Sequence, residues 1–256
     1  MEIKFVAVDL PDITDRLIDH LSALPSPVDS FFEDHVEDSN QYWIHIDGVN
    51  AGHVSIHGGN LVTQFCLHDA FKRYGQLVFQ HVKKMESVRQ AFVPTCDEFF
   101  LSHALDEQRS FACQAYFFQH TNGSDSSFDT ADLTFRQAQA DDIDLIRQVS
   151  GDFVEPVEEH VQNGELFITS KGDECAGLGV MIHNKFCLGY AAIGMFTVES
   201  FRNTGVGTAT IRFLIQECKR QQTKPTAGCW YYNHFSKKTL EKAGMYSQAR
   251  LLKIGF

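Results

Sequence analysis

No CxxC pair occurs among the seven cysteines, Cys66, Cys96, Cys113, Cys175, Cys187, Cys218 and Cys229, which are scattered and odd in number. That excludes the usual signatures of a disulfide framework and a zinc knuckle, and makes reduced cytoplasm the expected home. The opening residues MEIKFVAVDLPDITD lack a basic segment followed by an apolar run, and no uninterrupted apolar stretch reaches bilayer length, so neither export nor a membrane partner is expected. Positive charge is also scarce where it would matter for nucleic acid. Residues 1–131 hold 8 Lys or Arg against 19 Asp or Glu, while residues 132–256 hold 14 of each, so the whole net charge of −11 falls in the first part. A polyanionic partner is therefore not expected. The acidic part reads either as a solubilising surface or as a field that favours cationic ligands.

What is present is the composition of a folded chain, with 43% hydrophobic and 21% charged residues over 256 positions, enough for two domains of ordinary size. The turn-rich stretch QHTNGSDSSFDTA, Gln119 to Ala131, separates two regularly patterned segments. The expected division is a first domain over 1–120, a linker over 121–131 and a second domain over 132–256. In the second, strands are predicted at 133–137, 165–170, 175–183, 190–198, 226–232 and 246–256, with helices at 140–150, 158–163, after Gly207, and at 236–243. The order is β α α β β β α β α β. The first half repeats the plan, with strands at 3–8, 42–46, 52–57, 61–67, 91–95 and 111–118 and a helix at 76–85. Setting FKRYGQL beside FRNTGVG keeps a Phe, a basic residue and the first glycine, while Leu77 stands where Gly207 does.

The strongest chemical signal is Arg202-Asn203-Thr204-Gly205-Val206-Gly207-Thr208-Ala209, between a strand and a long helix. Glycines let the backbone approach an anion closely, successive N–H groups point at it, and the helix N-terminus adds favourable partial charge. A Walker loop would need Gly-Lys-Ser/Thr, and a dinucleotide fingerprint would need a third glycine where Thr210 stands. A tight turn without a ligand is the remaining bland reading.

This loop resembles the R/Q-x-x-G-x-G/A loop of the GNAT superfamily, and Phe196-Thr197-Val198-Glu199-Ser200-Phe201 resembles that family's fourth strand and its exit. Asn233, Ser236 and Thr239-Leu240-Glu241-Lys242-Ala243-Gly244-Met245 resemble the N-x-x-S-x-x-x-L/Y-E-K-x-G-F block after the fifth strand. The resemblance covers residues 132–256 in motif and the first half in element order only. It implies an α+β fold of two tandem GNAT-like domains, each a mixed, mostly antiparallel sheet flanked by helices.

It also implies acetyl-CoA as co-substrate and no metal. The amides of Asn203, Thr204, Gly205, Val206, Gly207 and Thr208, with Arg202, would bind the pyrophosphate. Backbone at Phe196, Thr197 and Val198 would pair with the pantetheine arm, and Asn233 and Ser236 would lie along it. The acceptor would be a primary amine of a small molecule or peptide, cationic if the acidic half bears on the site, attacking the acetyl group directly. Glu199 is the candidate general base, against a reading as an exposed loop carboxylate; His183 is a second candidate, otherwise a strand-end histidine. Leu240 stands where many family members have an acid tyrosine, and Tyr231, Tyr232 and Tyr246 are the conceivable substitutes. Two other functions stay open: a non-catalytic acyl-CoA-binding or regulatory protein, and a transferase of a longer acyl group. His45, His53 and His57 suggest a metal set by spacing, but without Cys or carboxylate companions they are expected to be solvated.

Overall fold

The computed structural model describes residues 1–85, 87–121 and 132–256. The first half runs β1 (Ile3–Val8), α1 (Leu10–Ser22), α2 (Ser30–Glu37), β2 (Ser39–Ile46), β3 (Val49–His57), β4 (Leu61–Leu67), α3 (Gly75–Lys83), β5 (Gln90–Pro94), α4 (Glu98–Asp106) and β6 (Ser110–His120). The second runs β7 (Leu133–Gln137), α5 (Ile143–Ser150), α6 (Val157–Gln162), β8 (Leu166–Lys171), β9 (Glu174–His183), β10 (Tyr190–Thr197), α7 (Val206–Arg220), β11 (Lys224–Trp230), α8 (His234–Lys242) and β12 (Met245–Gly255). The expected order of the second half is the observed one, and the first half follows the same plan. Residues 122–131 of the expected linker lie outside the described ones.

Two compact units emerge. Unit 1 is Met1–Phe117 with Lys185–Leu188 and Ser247–Phe256; unit 2 is Phe118–Asn184 with Gly189–Tyr246. In unit 2 the strands lie in the order β11-β10-β9-β8-β7, with β7, β8, β9 and β10 successively antiparallel and β10 parallel to β11. One face is covered by α7, whose Val206, Ala209, Ile211, Leu214, Ile215 and Cys218 are buried at helical spacing. Thr210 is fully buried there and satisfies its hydroxyl with Thr169 of β8, 2.8 Å away. Ile146, Val157, Leu166, Ile168 and Leu178 form a further core patch under α5 and α6.

Unit 1 orders its strands β1-β2-β3-β4-β5-β12-β6, with β4 parallel to β5. Its core stacks aromatic rings: Phe65 lies 5.0 Å from Phe79 and 6.2 Å from Phe100, and all three side chains are fully buried. The helices α1, α2 and α4 were not anticipated. In α1 the buried Ile13, Leu17 and Leu21 mark one helical stripe, opened by Pro11 in the first turn.

The final strand departs from the sequence-based division, which placed it in the second half. From Ser247 onward it belongs to unit 1, where Leu251 to Gly255 pair antiparallel with Pro94 to Gln90. The exchange is anchored by packing, since Ile254 is fully buried in the unit 1 core with Leu252 and Phe256 beside it. Its ends are anchored by hydrogen bonds, from the N–H of Thr95 to the Arg250 carbonyl and from the N–H of Phe256 to the Arg89 carbonyl. The hydrophobic pattern identifies such a strand but carries no label for the sheet that will receive it.

Unit 1 also buries two carboxylates on α2. Glu33, 1% exposed, accepts the N–H groups of Lys185, Phe186 and Cys187 at 2.7, 3.2 and 2.7 Å, tying residues 185–188 into this unit. Asp29 caps the helix, accepting the Phe32 N–H at 3.0 Å. Burial pushes the Asp29 carboxyl up to about 7, the neighbouring Glu33 charge adding to the shift and the Phe32 N–H opposing it.

Two outcomes follow from this packing. Ile254→Ala is expected to destabilise unit 1 by about 2–5 kcal/mol, read as a lowered urea midpoint, because it removes a fully buried side chain from β12. A solvent-exposed terminal strand would show almost no change. Because Asp29 binds its proton more tightly folded than unfolded, its contribution favours the fold at low pH and declines as pH rises from about 4 to about 7. Asp29→Asn, which keeps a capping oxygen, should flatten that part of the stability profile in urea titrations at stepped pH. An unchanged slope in Asp29→Asn would assign the dependence to another group.

Candidate functional site

In unit 2 the site begins with a backbone that runs out of partners. β10 pairs with β9 from Ala191 to Thr197, but with β11 only at Tyr190, Ala191 and Ala192. From Ile193 to Thr197 its other edge is unpaired among the described residues, so the sheet opens into a wedge between β10 and β11. Phe196, Thr197 and Val198 all lie at the open end and are partly exposed.

A 3-10 turn, Glu199–Phe201, leads from β10 into the glycine loop. Asn203 has φ 64° and Gly205 has φ 96°, so the chain reverses twice into the left-handed region before α7 starts. Backbone of this kind can turn consecutive N–H groups toward one anion. Among the described residues, the N–H groups of Asn203, Thr204, Gly205, Val206, Gly207 and Thr208 have no acceptor, and the first is met at Ala209, which donates to the Gly205 carbonyl at 3.0 Å. Gly205 opens onto free space. Gly207 does not: a Cβ there would lie 3.0 Å from Thr197 Oγ1 and 3.4 Å from Thr239 Cγ2, so the second glycine lets α7 approach β10 and α8. Arg202 is exposed at the loop's start, its Nε within 3.5 Å of the Thr197 carbonyl.

Across the wedge, Asn233 is the N-cap of α8, its Oδ1 accepting the Ser236 N–H at 3.0 Å. The cap uses only the side-chain oxygen, not the amide NH2. The capping reading and a ligand-facing role are thus compatible. Beside it, Trp230, Tyr232 and Phe235 are exposed, at 59, 57 and 78%. Phe153, which sequence reasoning did not single out, is also exposed, and its ring lies 5.4 Å from that of Phe196. Only their exposure marks these aromatics, and burial is not readable from residue type.

The acid and base candidates separate clearly. Glu199 is exposed at the first position beyond the open edge. His183 pairs with Ala191 at the opposite end of β10 from Thr197, about 20 Å away along the strand; it is not part of this site. Leu240 is 2% exposed and belongs to the buried face of α8. Tyr231 and Tyr232 follow β11 at the wedge end, their rings 5.3 Å apart, and Tyr246 opens β12.

Unit 1 keeps the wedge and loses the loop. β4 pairs with β5 only at Leu61 and Val62. Beyond β4, however, the 3-10 turn Asp69–Tyr74 runs straight into α3, and the Gly75 N–H donates to the Lys72 carbonyl. Gly75 has φ −52°, and a Cβ there would collide with the His103 ring, so the glycine is retained for packing and no anion nest forms. The expectation of solvated histidines is corrected at His53, which is 3% exposed and lies against His20, while His57 packs its ring 4.7 Å from His35. Their burial follows from the helices α1 and α2, which the sequence reading had not placed over these strands. Among the described residues, no group of three or more His, Cys, Asp or Glu side chains could hold a metal ion.

Two units built to one plan, each with a parallel pair that splays and a helix entering from the strand end, define a tandem acyltransferase architecture. The chain belongs to the GNAT superfamily, as two consecutive domains. Residues 9–121 match a family model described as an acetyltransferase (GNAT) domain, and residues 132–245 match one described as the acetyltransferase (GNAT) family. Among solved structures, a GNAT-family acetyltransferase from Colwellia psychrerythraea is similar over 100% of both chains, with TM-score 0.89 at 17% identity. A GCN5-related N-acetyltransferase from Sphaerobacter thermophilus has TM-score 0.67 at 12% identity, covering 98% of this chain and 95% of that one. A tandem GNAT protein from the clavulanic acid biosynthesis pathway has TM-score 0.56 at 11% identity, covering 100% and 98%. At these identities the likeness is one of fold. No curated protein matches the sequence.

Proposed function

We propose that unit 2 is an N-acetyltransferase that moves the acetyl group of acetyl-CoA to a primary amine of a small molecule or peptide. The observation that carries this reading is the run of six acceptorless N–H groups, Asn203 to Thr208, ending in a helix N-terminus. It fits the pyrophosphate by number and sign. The open edge from Ile193 to Thr197 fits the extended, amide-rich pantetheine arm as an added strand would. Arg202 supplies a full positive charge at the same loop, and Asn233 and Ser236 border the arm from α8. Bound acetyl-CoA supplies an activated acyl thioester; no metal enters the reading.

The chain's own contribution is placement and proton traffic. Glu199, directly past the open edge, is assigned to take the ammonium proton, directly or through water, so that the neutral amine attacks. Leu240, in the core, has no proton to give, so the CoA thiolate leaves without help from that position. The net charge of −11 favours cationic over anionic amines through long-range attraction that salt would weaken. The same Leu240 motivates the competing reading of a binding module. Acetyl-CoA bound without amine-dependent release of free CoA would establish it.

Gly205→Asp and Gly207→Asp each place a carboxylate against the nest, and calorimetry should show acetyl-CoA affinity falling at least tenfold, about 1.4 kcal/mol. Wild-type affinity in folded samples of both variants would remove the CoA assignment. Glu199→Gln should lower kcat about 10²–10⁴-fold near neutral pH while leaving acetyl-CoA affinity intact. A wild-type rate for Glu199→Gln would return Glu199 to the status of a surface carboxylate.

A further inference from the structure

Unit 1 holds a cluster of reactive side-chain types that the reading of unit 2 does not use. His20 of α1 places Nε2 2.8 Å from Oδ2 of Asp97, the N-cap of α4, with Cys66 of β4 near enough to bear on its charge. Asp97 is fixed independently, accepting the Phe100 N–H through Oδ1 at 3.0 Å, and is 3% exposed. His53 of β3 stands opposite Cys66 in the strand register, so both side chains share one face of the sheet. Its ring lies 5.8 Å from that of His20, edge to face. Although His53 is buried, its Nε2 has no hydrogen-bond partner among the described residues. A buried polar atom left unpaired is costly, and this one stands beside a cysteine and a histidine whose partner is a carboxylate.

Two further observations indicate which chemistry this suits. From the aligned Phe71 and Phe201, counting back along the strands puts Cys66 where Phe196 stands at the open edge in unit 2. The β4 edge is likewise unpaired with β5 beyond Val62. The anion nest is absent from unit 1, since helix runs through Gly75. This is therefore a splayed parallel pair like that of unit 2, with Cys66 partly exposed and no grip for a nucleotide.

We propose that Cys66 is a covalent acyl-acceptor site, taking an acyl group from a thioester carried on a short pantetheine-like arm. This rests on the reading of the unit 2 edge as the place of the arm. Cys66 attacks as its thiolate. A bond forms between its sulfur and the acyl carbon, the donor's carbon–sulfur bond breaks, and the departing thiolate takes a proton from the His20 imidazolium, which is reprotonated from solvent. His53, neutral because burial depresses it to about 3, directs its free ring nitrogen, as N–H, to the acyl oxygen. Burial alone would lower His20 too, but the hydrogen-bonded Asp97 carboxylate, with Cys66 nearby, raises it to about 10, so it stays cationic.

The test uses the full chain and S-acetyl-N-acetylcysteamine, a thioester with a pantetheine-like end and no nucleotide. Peptide mass spectrometry with time reads acetylation at Cys66 against Cys113, which is likewise partly exposed. The expected result is hydroxylamine-sensitive acetylation of Cys66 about 10²-fold faster than that of Cys113, slowed by a similar factor in His20→Gln. Asp97→Asn keeps the helix cap and removes the charge behind His20, so it should slow Cys66 without altering Cys113, even if His20→Gln folds poorly. Equal rates at the two cysteines, or an unchanged ratio in Asp97→Asn, overturns the proposal. The result stays separable from the unit 2 reading, because Gly205→Asp should abolish acetyl-CoA binding and leave Cys66 labelling by the short thioester as it was.

Discussion

The structure depends on where backbone hydrogen bonds are withheld. A strand inside a sheet normally satisfies both edges, and a helix start normally finds a cap. Unit 2 breaks both habits within a few residues. β10 leaves its partner after Ala192, and the N–H groups from Asn203 to the first turn of α7 find no acceptor among the described residues. Rigid elements surround the gap: α7 is held by a buried stripe of six apolar residues, and Asn233 fixes the start of α8. The unsatisfied groups are therefore oriented donors at a stable place, which is what pre-organised recognition of an extended, phosphorylated ligand requires.

Unit 1 shows what the same plan becomes when one constraint is relaxed. With Leu77 in place of the second glycine and His103 packed over Gly75, the strand-to-helix connection closes into continuous helix and its amides pair internally. The splayed pair itself persists, but in this unit the N-cap of α4 is Asp97, and its side chain holds His20 of α1. The two halves thus separate properties that a single domain combines: one keeps an anion nest, the other keeps a polar side-chain cluster.

How much of this could be read from sequence depends on the range over which each cause acts. The β10–loop–α7 unit was legible because its determinants are adjacent: an apolar strand, two glycines and a helical stripe within thirty-odd residues. Asn233 and Ser236 were legible as a cap for the same reason. The His20, Cys66 and Asp97 cluster was not, since His20 and Asp97 lie 77 residues apart and nothing local couples them. The missed helices α1, α2 and α4 follow ordinary amphipathic spacing, whereas burial of His53 needed knowledge of what covers it. Leu240 marks an intermediate case: its identity showed that a tyrosine was absent, but only burial showed that the position had become core.

The exchange of β12 has a consequence for how the molecule is made. A chain leaving the ribosome folds domain by domain, from the N-terminus onward, as synthesis adds roughly 5–20 residues per second. Residues 1–117 cannot follow that schedule to completion, because the strand between β5 and β6 is supplied by Ser247–Phe256. Until the whole of the second half has been translated, a delay on the order of ten seconds or more at such rates, the β5 edge stays bare and the site meant for Ile254 is unfilled. A bare strand edge beside an incomplete core is a surface to which other chains adhere. Nascent chains stalled before Ser247 should therefore be the form of this protein most in need of chaperones.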